Sequence, residues 1–344
     1  MPAAGSRYER MALRCGRPTR LRVLIFPVSV LLENWPEGQM PKRMGQFCRV
    51  LFELKPVPCN RPRSGARQAK IHTFLAPTTF PMPLTADQLA EYLSFAEQLA
   101  YASAEVIRPF FRSQLEVTDK GGQVFDPVTL ADKAGEQAMR ELIRGRYPTH
   151  GILGEEDGAQ WGSSPLTWVL DPIDGTRAFI TGLPLWGTLI ALNDGHGPIL
   201  GLMNQPFTGE RYIGTAAGAW CNGVRLRTRS CESLSSAALM TTTPDMFQTP
   251  EQRAAFDAVA KEARLTRYGG DCYAYCMLAS GFVDAIIEAS LQPYDIQALI
   301  PIIEGAGGVV SAWDGSSAQN GGTVVACGDP RLHAQLVEHL HQGS

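Results

Sequence analysis

The chain has 344 residues, 44% of them hydrophobic and 19% charged, with a net charge of −3. At about 100–200 residues per domain there is room for two compact domains with buried cores, and this balance excludes wholesale disorder. Its longest apolar stretch, Val23 to Leu32, is ten residues interrupted by Pro27 and Ser29, well short of the ~20 of a bilayer span, which argues against an integral membrane protein.

Residues 1–81 differ from the rest. They carry 14 Lys and Arg against four Glu and no Asp, a balance of +10 that leaves −13 on the remainder. Rich in Arg and Pro and without a sustained period, they offer too little apolar surface to offset the entropy of ordering. Three readings stand: an Arg-rich, acid-poor targeting presequence, a disordered basic arm, or an over-extended reading frame whose natural start is Met82. The last is favoured because Met82 directly precedes a helix start. A secretory signal is disfavoured, since no small-residue cleavage site follows Leu21–Leu32. The expected location is cytoplasmic, with organellar targeting by residues 1–81 left open. The acidic remainder repels nucleic acid and suits cations, so neither a nucleic acid nor a membrane is an expected partner.

From Thr85 the pattern becomes orderly. Thr85-Ala-Asp-Gln88 has the form of a capping box, and Leu89, Leu93, Ala96, Leu99 and Ala100 recur at helical spacing, with Tyr92, Phe95, Val106 and Ile107 widening the stripe. Pro109 ends or kinks this helix. A second helix is expected from near Thr129 to Arg146, with Ala138, Met139, Leu142 and Ile143 inward. Strand Trp168-Val-Leu170 should end at Asp171, because Pro172 fixes φ and the residue before it is held extended. Strands Thr188–Leu192 and Pro198–Asn204 follow, then a hairpin from Glu210 to Trp220 and the turn Cys221-Asn222-Gly223. Beyond Ala237–Thr243 helices and strands alternate: helix Asp271–Ser280, strand Asp284–Ala289, helix Asp295–Glu304, strands Gly308–Ala312 and Thr323–Cys327. Residues 82–230 thus read as an α+β metal-binding subdomain and 231–344 as an α/β subdomain, after a 1–81 extension.

Eight Cys (15, 48, 59, 221, 231, 272, 276, 327) form no C-x-x-C, and six His (72, 150, 196, 333, 339, 341) form no H-E-x-x-H, so zinc spacing is absent and hydrolytic chemistry would run on carboxylates. Cys272 and Cys276, at i,i+4, read as core thiols. Four acidic positions stand at the ends of apolar segments beside small or turn residues: Glu155 in Gly-Ile-Leu-Gly-Glu-Glu, Asp171 and Asp174 in Trp-Val-Leu-Asp-Pro-Ile-Asp-Gly-Thr, and Asp295 in Gln-Pro-Tyr-Asp-Ile. Two carboxylates three residues apart repel unless a cation lies between them, and Mg²⁺ takes carboxylate and carbonyl oxygens, that of Ile173 included. Gly175 permits a tight path, and Thr176–Thr181 can form a helical turn whose first amides face a phosphate. Taken alone, D-x-x-D-G-T is equally an Asx-turn with a helix cap.

The order Gly154-Glu-Glu156, Trp168-Val-Leu-Asp-Pro-Ile-Asp-Gly-Thr176, Tyr294-Asp295 and Glu304-Gly-Ala-Gly-Gly308 resembles the inositol monophosphatase superfamily over about residues 85–330. The tracts Arg177-Ala-Phe-Ile-Thr-Gly-Leu-Pro-Leu-Trp-Gly-Thr188, Arg267-Tyr-Gly-Gly-Asp-Cys-Tyr-Ala-Tyr275 and Leu291-Gln-Pro-Tyr-Asp295 are most similar to its histidinol-phosphate phosphatases. Inositol-specific members typically have Thr-Asn-Phe where this chain has Arg177-Ala-Phe179, and residues 1–81 match nothing in the family.

The resemblance implies a layered αβαβα sugar-phosphatase fold of the inositol monophosphatase/fructose bisphosphatase type, classed α+β. It further implies a homodimer and Mg²⁺-dependent hydrolysis of a small phosphate monoester, L-histidinol phosphate first, with inositol monophosphate or a broader set of sugar phosphates as the alternative. Glu155, Asp171 and the Ile173 carbonyl would hold one Mg²⁺, and Asp171, Asp174 and Asp295 a second; a third ion near Glu155 is common in that family. Asp132 and Thr176 would orient the attacking water. Gly175, Thr176, Arg177, Arg267, Asp271 and Glu288 would contact substrate, Glu288 as the acid that meets a hydroxyl or amine. Asp132 is also readable as a helix cap, Asp271 as a helix cap, Arg267 as a partner of a carboxylate across a dimer, and Lys120 as either a charge-balancing or a solvated loop lysine.

Overall fold

The computed structural model describes residues 84–113, 117–119 and 127–341; Lys120 and the 1–81 segment lie outside the described residues. Helix α1 (Ala86–Ile107) starts at the Thr85 capping box, in which Thr85 Oγ1 accepts the Gln88 amide at 3.2 Å and Gln88 Oε1 accepts the Thr85 amide at 2.9 Å. Strands β1 (Val117–Asp119) and β2 (Pro127–Thr129) pair antiparallel and lead into α2 (Leu130–Arg146). Then come β3 (Gly151–Gly154), β4 (Gly158–Gln160), β5 (Thr167–Asp174), the short α3 (Thr176–Ile180), β6 (Gly187–Asn193), β7 (Pro198–Gln205), β8 (Glu210–Thr215), β9 (Gly218–Cys221) and β10 (Val224–Arg225). The second half is β11 (Ala238–Thr241), α4 (Pro250–Glu262), β12 (Leu265–Tyr268), α5 (Asp271–Ala279), β13 (Ala285–Leu291), α6 (Pro293–Ile296), α7 (Leu299–Ala306), β14 (Val309–Ser311), β15 (Gly322–Cys327) and α8 (Pro330–Leu340).

Two large sheets result: eight strands in the order β10-β9-β8-β7-β6-β5-β3-β4 and five in the order β12-β11-β13-β15-β14. The period of two along the strands decides what lies on each face. In β5 and β6, Trp168, Leu170, Ile190 and Leu192 turn toward Phe95, Leu99, Met139 and Ile143 of α1 and α2. Their neighbours Val169, Leu189 and Ala191 turn the other way, onto α5 and α7, which in turn cover Ile286, Val324 and Ala326 of the second sheet. On the far face, Ala285, Ile287 and Val325 meet Phe256 of α4 and Leu332, Leu336 and Leu340 of α8. Helix pair, sheet, helix pair, sheet, helix pair is the layered αβαβα arrangement. Each fully buried large side chain in these clusters contributes roughly 1.5–3 kcal/mol.

Three expectations need correction, and some elements had none. Strand β5 does not end at Asp171 but continues through Asp174: Asp171 pairs with Leu189 and Asp174 with Gly187, three residues opposite two. This bulge absorbs Pro172, whose missing N–H falls where the ladder is already interrupted. Leu142 is 40% exposed, because the buried face of this helix runs through Glu136, Met139, Arg140 and Ile143, and Arg140 lies about 200° around the axis from Leu142. The helix expected over 295–304 is two pieces, α6 and α7, with Gln297 and Ala298 between them. Finally, α4, β12 and α8 had no counterpart in the expectations. Among the described residues no helix is long and apolar enough to cross a membrane.

Candidate active site

The bulge in β5 gives the site its shape. Two residues of offset in a regular strand would return side chains to one face, and three would oppose them. The extra residue instead lets Asp171 and Asp174 converge. Asp171 Oδ1 accepts the Ile173 amide at 3.0 Å, an Asx-turn that locks its rotamer. Asp174 Oδ2 accepts the Cys272 amide at 2.6 Å, joining the first sheet to the start of α5. Asp295 arrives from α6, its Oδ2 accepting the Gln292 amide at 2.7 Å in the first turn. One carboxylate oxygen from each of Asp171, Asp174 and Asp295 lies within 4.8 Å of the others.

These three line a cleft of about 410 Å³ together with Glu155, Ile173, Gly175, Thr176, Arg177, Asp271, Ser290, Gln292 and Tyr294. A larger groove, about 650 Å³ between α1 and β7–β9, is lined by residues such as Leu93, Tyr101, Arg211 and Trp220. Its Arg211 is matched by Glu97 at 3.5 Å, and it lacks converging acids. The chemistry lies in the smaller cleft.

Gly175, with φ of 84°, turns the chain from β5 into α3, a left-handed conformation that favours glycine. Thr176 follows, its hydroxyl donating to the Ile173 carbonyl at 3.0 Å with Asp132 Oδ1 at 3.5 Å as a second acceptor in reach. Asp132 is the helix-cap residue that one of its sequence readings expects, and it also faces Thr176. As the third residue of α2 its Oδ2 accepts the Thr129 amide at 2.8 Å and the Thr129 hydroxyl at 2.6 Å, while Oδ1 faces Thr176. Glu155 stands at the end of β3 beside Asp171, its amide bonded to the Leu170 carbonyl at 3.2 Å.

The proposed substrate contacts separate into two groups. Arg177 and Asp271 line the cleft; Asp271 has a left-handed φ of 43° after two glycines that are also positive, strain that is typical of functional sites. Glu288 and Arg267 are outside the lining. Glu288 is buried in β13, Oε1 accepting from the Thr242 amide (3.0 Å) and hydroxyl (2.6 Å) and Oε2 from Tyr275 (2.8 Å), so it is not the surface carboxylate that a strand end suggests. Arg267 is exposed on β12, the edge strand of the second sheet. Cys272 and Cys276 are core thiols as expected. Sequence reasoning passed over the buried pair Glu136–Arg140 in α2, which binds the turn after Glu155; an acid and a base four apart on the stripe of an amphipathic helix was the available signal.

Electrostatics sets the cleft apart. Burial, and then the charges of Glu155, Asp174 and Asp295, push Asp171 well above the ordinary carboxylate range. Asp174 is raised to about 8 by burial and by Asp295, against the opposing Cys272 amide. Asp271 is raised by burial, Asp174 and Glu288, with Arg177 acting the other way. Asp132 and Glu288 are raised chiefly by burial. Carboxylates so placed either hold protons or hold a hard cation, and oxygen donors of this kind in a polar cleft fit a divalent ion such as Mg²⁺.

Comparison with known proteins bears on this geometry. Residues 88–344 match the model of the inositol monophosphatase family. The chain is 44% identical over 272 residues to the bifunctional phosphatase IMPL2, chloroplastic, of Arabidopsis thaliana, covering 76% of this chain and 78% of that protein. It is 31% identical to a histidinol-phosphatase of Chlorobaculum parvum, over 73% of this chain and 97% of the other. Among solved structures, an inositol monophosphatase from Zymomonas mobilis superposes with a TM-score of 0.68 at 40% identity, covering 75% of this chain and all of that one. The sheets, the convergent acids and these matches agree: the chain belongs to the inositol monophosphatase family of phosphatases.

Proposed function

We propose that this phosphatase hydrolyses L-histidinol phosphate to L-histidinol and phosphate with Mg²⁺ held in the acidic cleft. The convergence of Asp171, Asp174 and Asp295 within 4.8 Å is the observation that carries the metal-dependent part. Glu155, Asp171 and the Ile173 carbonyl would hold one ion, and Asp171, Asp174 and Asp295 another. When bound, such ions supply Lewis-acid charge to the phosphoryl group and acidify a nearby water.

The chain's own groups do the rest. Arg177, with Gly175 and Thr176 beside it, orients the phosphoryl oxygens; a guanidinium meets them in a fork. The Thr176 hydroxyl and Asp132 Oδ1 form a short relay at the cleft wall, able to orient water and accept its proton, and burial raises the basicity of Asp132 for that task. Asp271 is an acid beyond the three that converge, on the wall contributed by the start of α5. It suits a cationic amine on the alcohol half of the ester, which an inositol does not carry. Glu288 supports that wall through Thr242 and Tyr275.

Hydrolysis of an inositol monophosphate is the second reading, favoured by the 40% identity to the Zymomonas mobilis enzyme. Phosphate release in Mg²⁺ from matched concentrations of L-histidinol phosphate and inositol 1-phosphate separates the two. Faster turnover of the histidinol ester is expected, and faster turnover of the inositol ester would overturn the assignment. The chloroplastic relative and the Arg-rich, acid-poor character of residues 1–81 support organellar targeting over a cytoplasmic location.

A further inference from the structure

Helix α2 carries Asp132 in its first turn and Glu136 one helical turn later. Glu136 is fully buried, yet it does not line the cleft. Its Oε2 accepts the Glu156 amide at 2.7 Å, and its Oε1 accepts the Asp157 amide at 3.0 Å and Arg140 Nε at 2.7 Å. Arg140, equally buried, donates Nη2 to the Gly158 carbonyl. Two amides and a carbonyl of the turn that follows Glu155 are therefore tied to one face of α2. On the other side of Glu155, a Cβ on Gly154 would fall 2.2 Å from Glu136 Oε1, so the carboxylate occupies the place where a side chain would be. The Glu155 amide itself is bonded to Leu170, the residue before Asp171.

An ion pair buried this deeply is a weak device for stability, because apolar residues of the same volume avoid the desolvation of two charges. What apolar residues cannot do is hold three backbone groups in a fixed direction. We propose that Glu136, braced by Arg140, is a positioning residue: it aims the Glu155 carboxylate at Asp171, and the cation affinity of the cleft depends on Glu136 through Glu155. Helix α2 then sets both ends of the site, Asp132 at one turn and Glu155 at the next. The inference rests on Glu155 being a cation ligand, as proposed above.

The test is a double-mutant cycle on Mg²⁺ binding, read by calorimetric titration of metal-free protein, with Glu136→Gln made in the wild type and in Glu155→Gln. Removing a group that orients a ligand typically weakens a metal site about 10–100-fold. Glu136→Gln should therefore weaken Mg²⁺ binding by that factor in the wild type and by less than about twofold when Glu155 is already Gln. Unchanged affinity for Glu136→Gln, or an equal loss in both backgrounds, would overturn the positioning role and leave Glu155 as a ligand. Unchanged affinity for Glu155→Gln alone would instead contradict the ligand reading of Glu155, and the positioning role with it. If Glu136→Gln does not fold, Glu136→Gln with Arg140→Leu leaves no lone buried charge and is held to the same two outcomes.

Discussion

Among the described residues, buried carboxylates at the second sheet and in the cleft differ in their partners. At the ends of the inner strands of the second sheet, Asp284 takes Arg229 in a fork at 2.6 and 2.5 Å and the Ala238 amide at 2.7 Å. Close by, Asp329 takes Arg331, the Cys231 amide and Ser230, which hold its carboxyl far below the usual range. In the cleft, Asp171, Asp174 and Asp271 are surrounded by other acids and pushed the opposite way; Arg177 is the basic side chain among the described lining residues. Where the chain supplies its own cation, a buried carboxylate ties loops together. Where it gathers acids instead, it leaves charge to be completed by a ligand.

Substitution should divide the two regions cleanly. Asp171→Asn is expected to lower phosphate release on the order of 10³-fold or more, since several kcal/mol of charge stabilisation is lost at about 1.4 kcal/mol per decade. It should leave melting of the metal-free protein unchanged or raised, because a repulsive buried charge is gone. Asp284→Asn should do the reverse: a loss of about 3 kcal/mol by denaturant unfolding, at the low end for a broken buried pair because Arg229 is partly exposed, with turnover per folded molecule intact. Equal effects of both on stability would erase the contrast.

Asp271→Asn sharpens the substrate side. A charge-assisted contact of about 1.5–3 kcal/mol predicts a KM for L-histidinol phosphate raised roughly 10–100-fold, with inositol 1-phosphate little affected. The proton balance gives a smaller effect. Asp174 is raised from 3.8 to about 8, so its contribution to folding is fully present below 3.8 and lost as pH rises through about 8. With Mg²⁺ held in the cleft as proposed, the melting-temperature rise on adding it should be larger by a few degrees at about pH 8 than at about pH 5. An equal rise at both would contradict that coupling. Smallest of all, a chain beginning at Met82 should keep turnover within about twofold, and loss of activity would make residues 1–81 part of the working enzyme.

Much of the site was legible because its local chemistry is local in sequence. Asp-Pro-Ile-Asp-Gly-Thr announces a turn and two acids, and the capping box at Thr85 and the helix start near Thr129 are read directly. The bulge could not, since it exists only against Gly187 of the neighbouring strand. Helices α4 and α8 carried signals that went unused: Thr249-Pro250 and Asp329-Pro330 are cap residues before a first-turn proline, and Leu332, Leu336 and Leu340 recur every four residues. Leu142 and Arg140 show the limit of periodicity: an apolar stripe points Leu142 inward, whereas the buried face turns toward the Glu136–Arg140 ion pair, which hydropathy does not reveal. Glu288 shows the same limit at the site, because strand ends look alike until the partners Thr242 and Tyr275 are in place, and the exposure of Arg267 follows from its strand being the sheet edge.

Direct titration of Mg²⁺ into metal-free protein tests the central claim most plainly. Wild-type protein should bind with release of protons, seen as a heat that varies with the ionisation enthalpy of the buffer, and Asp171→Asn should lose that binding. Binding of equal strength by the Asp171→Asn protein, or none by the wild type, would contradict the account.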